Sequence, residues 1–144
     1  MSDGAETQVK TSRAWAWLGL ELVESGDGWA TVRMVPTDDM ANMSGFVHGG
    51  MISTLADTAM GRAIRTVKPG VARAMSFDLK LSFINAAKIG EALLATGRVI
   101  HAGRRTIVAE CQVLGREGRL IATGSATFAV SREKGITTQG SDAD

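Results

Sequence analysis

Apolar residues keep helical spacing in one stretch of the chain only. Met51, Ile52, Leu55, Ala56, Ala59, Met60, Ala63 and Ile64 recur at three- and four-residue intervals. They predict a single long helix from Gly49 or Gly50 to about Thr66. After it the period changes to two. Met75, Phe77, Leu79, Leu81 and Phe83 alternate through residues 72–84, which predicts a strand with one apolar face. Residues 91–101, 104–114 and 119–130 read as three more strands. Their separators, residues 86–90, 102–103 and 115–118, are short and favour neighbouring antiparallel strands. Upstream, residues 20–24 and 28–35 read as a hairpin around Gly26-Asp27-Gly28, residues 12–18 as a short helix and residues 40–47 as a loop. The result is an α+β chain with an antiparallel sheet. The long helix carries few charges before Arg62 and is apolar or small over most of its circumference, so it must be buried on most sides. A sheet that curls around it would bury it.

Composition narrows the function classes. A chain of 144 residues with 44% hydrophobic residues fits one globular domain. The expected division is a flexible segment 1–10, one domain over 11–132 and a flexible segment 133–144. The formal net charge is +1, so nothing draws the whole molecule to nucleic acid or to an anionic membrane. Cys111 is the one cysteine; it cannot form an internal disulfide and reads as a packed core thiol. No apolar run reaches membrane-spanning length, and residues 1–8 lack the apolar core of a signal peptide, so a cytoplasmic location is expected. Two histidines and one cysteine form no recognisable metal set, and no cofactor is expected.

The chemistry lies in the helix and the loop before it. Asp57 stands about two turns into an apolar helix, too far in to cap it. A carboxylate there is costly unless it has partners or a task. Ser53, Thr54, Thr58 and Gly61 lie near it along the helix, and the hydroxyls are its obvious structural partners. Gly49-Gly50 falls where the helix starts. Backbone N–H groups at a helix start are unpaired and partly positive, and glycine lets a substrate approach them closely. Such donors can receive a carbonyl oxygen and stabilise its developing charge. A donor pair at the helix start and a carboxylate further along suit acyl transfer.

Asn42, Gly45, His48, Gly49, Gly50, Leu55, Asp57 and Gly61 stand in the pattern N-x-x-G-x-x-H-G-G-x4-L-x-D-x3-G. This pattern resembles the hotdog-fold thioesterases of the phenylacetic-acid-pathway type, in the wider group that includes 4-hydroxybenzoyl-CoA thioesterase. Residues 76–83, Ala87-Lys88-Ile89-Gly90-Glu91, Gly103-Arg104-Arg105-Thr106 and residues 118–122 resemble later parts of the same family, and the likeness spans about residues 15–131. The resemblance implies a long central helix wrapped by a curved antiparallel sheet, and hydrolysis of acyl-CoA to free acid and coenzyme A. It implies Asp57 as general base or nucleophile, the Gly49 N–H as the group that polarises the thioester carbonyl, and His48 as a residue holding loop and thioester. It also implies Asn42 as an orienter of water or substrate and Ser76 as a hydroxyl holding the attacking water. In such proteins Asp57 and Ser76 come from the subunit facing the loop.

Other residues are candidates on their chemistry. Coenzyme A carries phosphates that arginine forks match, so Arg104 and Arg105 beside Gly103 are candidate contacts, one of the two if both lie on a strand. Lys88, Arg62, Arg65 and Arg73 are weaker candidates, and Gly50 is a candidate for substrate approach. Trp15 and Trp17 read as core or pocket wall, the methionines as packing residues, and His101 as structural or exposed. Two rival functions remain on the same fold: a non-catalytic acyl-CoA sensor, and a dehydratase or hydratase. One helix on one sheet face leaves strand edges uncovered, which predicts a homodimer at least and a homotetramer as a dimer of dimers.

Overall fold

The computed structural model describes residues 11–131; the segments expected to be flexible, 1–10 and 133–144, lie outside them. A short helix α1 (Arg13–Trp17) leads into strands β1 (Glu21–Gly26) and β2 (Trp29–Met34). Helix α2 (Gly49–Val67) follows, and then β3 (Arg73–Phe83), β4 (Leu93–Ala102), β5 (Thr106–Leu114) and β6 (Leu120–Ser131). All six strands form one antiparallel sheet in the order β1-β2-β4-β5-β6-β3.

Helix α2 forms where the apolar period requires it. Ile52, Leu55, Ala56, Ala59, Met60, Ala63 and Ile64 are its buried residues, and the curved sheet packs against them from β4, β2 and β5. Small side chains on this stripe let helix and sheet approach closely. A Cβ on Gly97 of β4 would lie 2.6 Å from the Ala59 carbonyl oxygen, so glycine is required there by the packed backbone. The helix ends at Lys68, and Pro69 follows, which cannot continue it.

Two expectations are corrected. The strand reading places β3 beside β4 because the separator is short. Instead β3 forms the sheet edge, paired to β6 over almost its full length. The connection, residues 84–92, has to step across β6 and β5, roughly 14 Å at ordinary strand spacing. Nine extended residues reach up to ~30 Å, so the crossing is unstrained. The second correction concerns the apolar row of β3. Its register shifts between Ser76 and Asp78, leaving Phe77 in a bulge. A bulge reverses which residues face inward. Leu79 and Phe83 pair with the buried Ala126 and Ala122, whereas Ser76 pairs with the buried Phe128. Ser76 therefore shares the helix-facing side with Leu79, Leu81 and Phe83, while Met75, opposite the exposed Ala129, lies on the outer side. Phe77 is 65% exposed and Met75 67%.

Trp17 is also exposed, at 74%, against the reading of it as core or pocket wall. Met34, Met40 and Met60 are buried as packing residues, whereas Met43 is fully exposed. Cys111 is buried, and burial pushes its thiol up to about 12, which suits a packed core thiol.

Candidate active site

The loop before α2 is held from three directions. Asn42 accepts the Ser44 and Phe46 N–H groups at 2.9 and 3.1 Å through Oδ1. Gly45, at φ +82°, makes the reversal between them; this left-handed conformation favours glycine. The Val47 N–H donates to the Ala87 carbonyl and the His48 N–H to the Met40 carbonyl, at 2.9 and 2.7 Å. Phe46 bridges to Lys88. Loop 84–88 is fixed in turn, because Asn85 Nδ2 donates to the Leu120 carbonyl and Arg119 Nη2 to the Ala86 carbonyl.

His48 is the N-cap of α2. Its Nδ1 accepts the Gly50 N–H at 2.9 Å, and its carbonyl accepts the N–H groups of Met51 and Ile52. With Nδ1 accepting, a neutral imidazole carries its proton on Nε2. Of the two glycine donors, Gly50 is therefore engaged in the cap. Gly49 is the first helical residue, and among the described residues its N–H has no partner. Phe83 lies beside it: a Cβ on Gly49 would sit 3.2 Å from Phe83 Cζ. The helix dipole and one free N–H thus converge just outside Gly49.

The middle of α2 is finished differently. The hydroxyls that are Asp57's obvious structural partners turn back to their own helix. Ser53 Oγ donates to the Gly49 carbonyl, Thr54 Oγ1 to Gly50 and Thr58 Oγ1 to Thr54, at 2.8, 3.0 and 2.7 Å. Each hydroxyl has one proton to donate, so none of these three donates to the carboxylate. Asp57 Oδ1 is buried and has no hydrogen-bond partner among the described residues. A buried carboxylate oxygen in that state is costly, and native proteins keep few of them without a task.

Asp57 borders a cleft of about 280 Å³ whose other walls include Trp15, Gly61, Arg62, Ala74 and Phe128. Arg62 stacks over the Trp15 ring at 4.7 Å. Burial, and then the neighbouring Arg65, hold the Arg62 guanidinium below its ordinary value. Ser76 pairs with Phe128 on the same inner side of the sheet, next to this cleft. Neither the bulge that turns Ser76 inward nor the placement of Trp15 beside Asp57 has a signal in the residue order. The back-bonded hydroxyls did have a signal, since serine and threonine inside a helix commonly reach the carbonyl four residues earlier.

The candidate coenzyme A contacts separate into two groups. Lys88 and Gly50 lie at the start of α2. Lys88 shares a surface cleft with Arg116 and Arg119, whose walls are joined by Glu91. That carboxylate accepts the Lys88 and Arg116 N–H groups at 3.0 and 2.7 Å, bonds that hold it below the usual carboxylate range. Gly103, Arg104 and Arg105 lie at the other end of the helix, with Lys68. Both arginines sit in the turn before β5, which begins at Thr106, so the expected strand alternation does not separate them. Arg73 opens β3, and His101 is exposed on β4. No cluster of metal-ligating side chains occurs among the described residues, and no described helix is long and apolar enough to cross a membrane.

Gly49 and Asp57 do not meet within one chain. Eight residues separate them, a rise of about 12 Å along the helix. The Gly49 N–H points out of the helix start, away from Asp57. One chain therefore presents a free donor at the helix start and a carboxylate two turns along it that do not meet.

Comparison with known proteins matches this architecture. The sequence profile of the thioesterase superfamily matches residues 44–122. The acyl-coenzyme A thioesterase PaaI of Escherichia coli is 30% identical over 105 residues, which cover 73% of each chain. The structure of the E. coli PaaI protein from the phenylacetic acid degradation operon superposes with a TM-score of 0.78 at 27% identity, covering 83% of this chain and 85% of that one. A hypothetical thioesterase of Streptococcus pneumoniae, crystallised with coenzyme A, superposes with a TM-score of 0.72 at 25% identity, covering 78% and 85%. The match spans the loop, the long helix and the strands that carry the candidate site, and the chain belongs to the thioesterase superfamily as a PaaI-like enzyme of the hotdog fold.

Proposed function

We propose that this protein hydrolyses acyl-CoA thioesters in sites shared between two copies of the chain. The observation that carries the reading is the buried Asp57 Oδ1, without a partner among the described residues, about 12 Å along the same helix from the Gly49 N–H, which has none there either. The Gly49 N–H of one subunit polarises the thioester carbonyl and receives its developing negative charge. Asp57 of the facing subunit takes a proton from the attacking water, or attacks the carbonyl itself to give a mixed anhydride that water then opens. Ser76 holds that water from the inner face of β3. His48 and Asn42 keep the donor loop in place through the hydrogen bonds given above. The products are a carboxylic acid and the coenzyme A thiol.

The edge strand supports the dimer. Among the described residues β3 has a single partner strand, β6, and it carries Met75, Phe77, Leu79 and Phe83 with substantial exposure. An exposed apolar edge strand needs cover. A second copy related by two-fold symmetry covers it and can carry each Gly49 toward the opposite Asp57. A dimer of dimers is the corresponding proposal for the tetramer.

The test is thiol release from a panel of acyl-CoAs by wild type, Asp57→Asn and Asp57→Ala. Release by wild type and its loss in both variants is expected. Equal release by all three would remove Asp57 from catalysis. Binding of coenzyme A esters without any release would favour the sensor.

A further inference from the structure

We propose that the cleft beside Asp57 is the acyl subsite, and that Trp15 and Gly61 set the size of the acyl group it accepts. The inference rests on the hydrolase reading for its substrate and adds the residues that select among substrates. The cleft continues along α2 from Asp57 to Gly61, one turn on, so a carbonyl held at Asp57 can direct its acyl group toward Gly61. A Cβ added at Gly61 would meet Phe128 Cε1 only at 4.0 Å. The missing side chain is therefore open space within the cleft, and any larger residue would fill it.

Trp15 forms the opposite wall. It belongs to a helix of only five residues, yet its position is fixed. The Ser12 hydroxyl accepts its N–H at 3.1 Å, its carbonyl accepts the Leu20 N–H, and the Arg62 guanidinium stacks on its ring. The side chain packs against the core. Several polar groups of the lining are turned to the protein: Thr58 donates to the Thr54 carbonyl and Arg65 Nη1 to the Val71 carbonyl. Trp15, Ala74 and Phe128 are the apolar part of the lining beside Gly61, and Ser12, Asp57, Arg62 and Arg65 form its polar part. At about 280 Å³ the space lies below the ~300 Å³ at which pockets for drug-sized ligands begin. That volume holds a short chain or a single ring, and a longer chain has to extend out of the cleft.

The experiment measures binding of S-alkyl coenzyme A thioethers, which cannot be hydrolysed, as the alkyl group lengthens from methyl to decyl. Hydrolysis of the matching thioesters is followed in parallel. Wild type should gain affinity over the first few carbons and then lose it. Gly61→Val should lower the ratio of hexyl to methyl affinity by about tenfold, and Trp15→Ala should move the optimum to longer chains by a similar factor. Identical length profiles in wild type and both variants would overturn the inference. A changed thioether profile with no thioester hydrolysis would support the size-selecting cleft and remove the hydrolase reading instead.

Discussion

The first turn of α2 and the turn around Asp57 belong to one helix and are built in opposite ways. At the first turn His48 caps the helix, and the N–H groups of Gly50, Met51 and Ile52 all find acceptors in the same residue. One donor, the Gly49 N–H, is left over. Two turns later the hydroxyls donate to carbonyls of their own helix and leave a buried carboxylate oxygen without a partner among the described residues. The first region is complete apart from what a substrate would supply. The second leaves one buried oxygen unsatisfied among the described residues. An acceptor shortage at one place and a donor shortage at another, held apart by a rigid helix, are what the proposed shared site uses as its two halves.

The largest effect should come from the incomplete half. Asp57→Asn keeps the shape and removes the charge. It should lower kcat about a thousandfold while leaving Tm unchanged or slightly raised, because the buried Oδ1 has no hydrogen bond among the described residues to lose. Steady-state kinetics and calorimetry on one preparation check both; a fall in Tm with activity retained would mean that Asp57 is structural. The next effect tests the donor. Proline is tolerated at the first position of a helix, and His48, at φ −62° and ψ 133°, already has the conformation that precedes proline. Gly49→Pro therefore deletes the N–H within a compatible backbone. Gly49→Ala keeps the N–H and adds the same Cβ against Phe83. Relative to Gly49→Ala, Gly49→Pro should lose about a hundredfold in kcat; equal rates would show that the N–H is not used.

Smaller effects sharpen the comparison. Ser76→Ala should reduce kcat about tenfold with little change in KM, which single-turnover kinetics would detect. The smallest effect concerns the support of the donor loop. Glu91 has its folded-state value depressed, so its contribution to stability is present above the ordinary carboxylate value and is lost as pH falls through the depressed one. Glu91→Gln should lower Tm slightly at neutral pH, and the difference from wild type should vanish in acid. A constant gap across a pH series would contradict that role.

Much of this molecule could be read from residue order, and the parts that could not share a physical cause. Helix α2 was legible because Leu55, Ala59 and Met60 fix a period that nothing else along the chain imitates. The strands were legible by alternation, but their order was not, since β3 starts at Arg73 and pairs with a strand that begins only at Leu120. Short connections predict neighbours only when nothing better is available to pair with. The bulge at Phe77 was invisible because one extra residue leaves the printed alternation of Met75, Phe77 and Leu79 unchanged while reversing its geometry. Asp57 was legible as a carboxylate in an apolar helix. Its lack of a partner was not, because that depends on where three neighbouring hydroxyls point. The Arg104-Arg105 pair was placed on a strand that begins one residue later, at Thr106.

The central claim is that the donor and the carboxylate of each site come from different copies of the chain. Complementation tests it directly. Gly49→Pro and Asp57→Asn subunits, each inactive alone, are co-expressed with distinct tags and purified together. In a mixed dimer one site combines the intact Gly49 of one subunit with the intact Asp57 of the other, and the second site has neither. Random pairing makes half of the dimers mixed, each with one of its two sites intact, so the mixture should recover about a quarter of wild-type thiol release. Activity no greater than that of the separate variants would mean that each site lies within one chain, and would contradict the shared site.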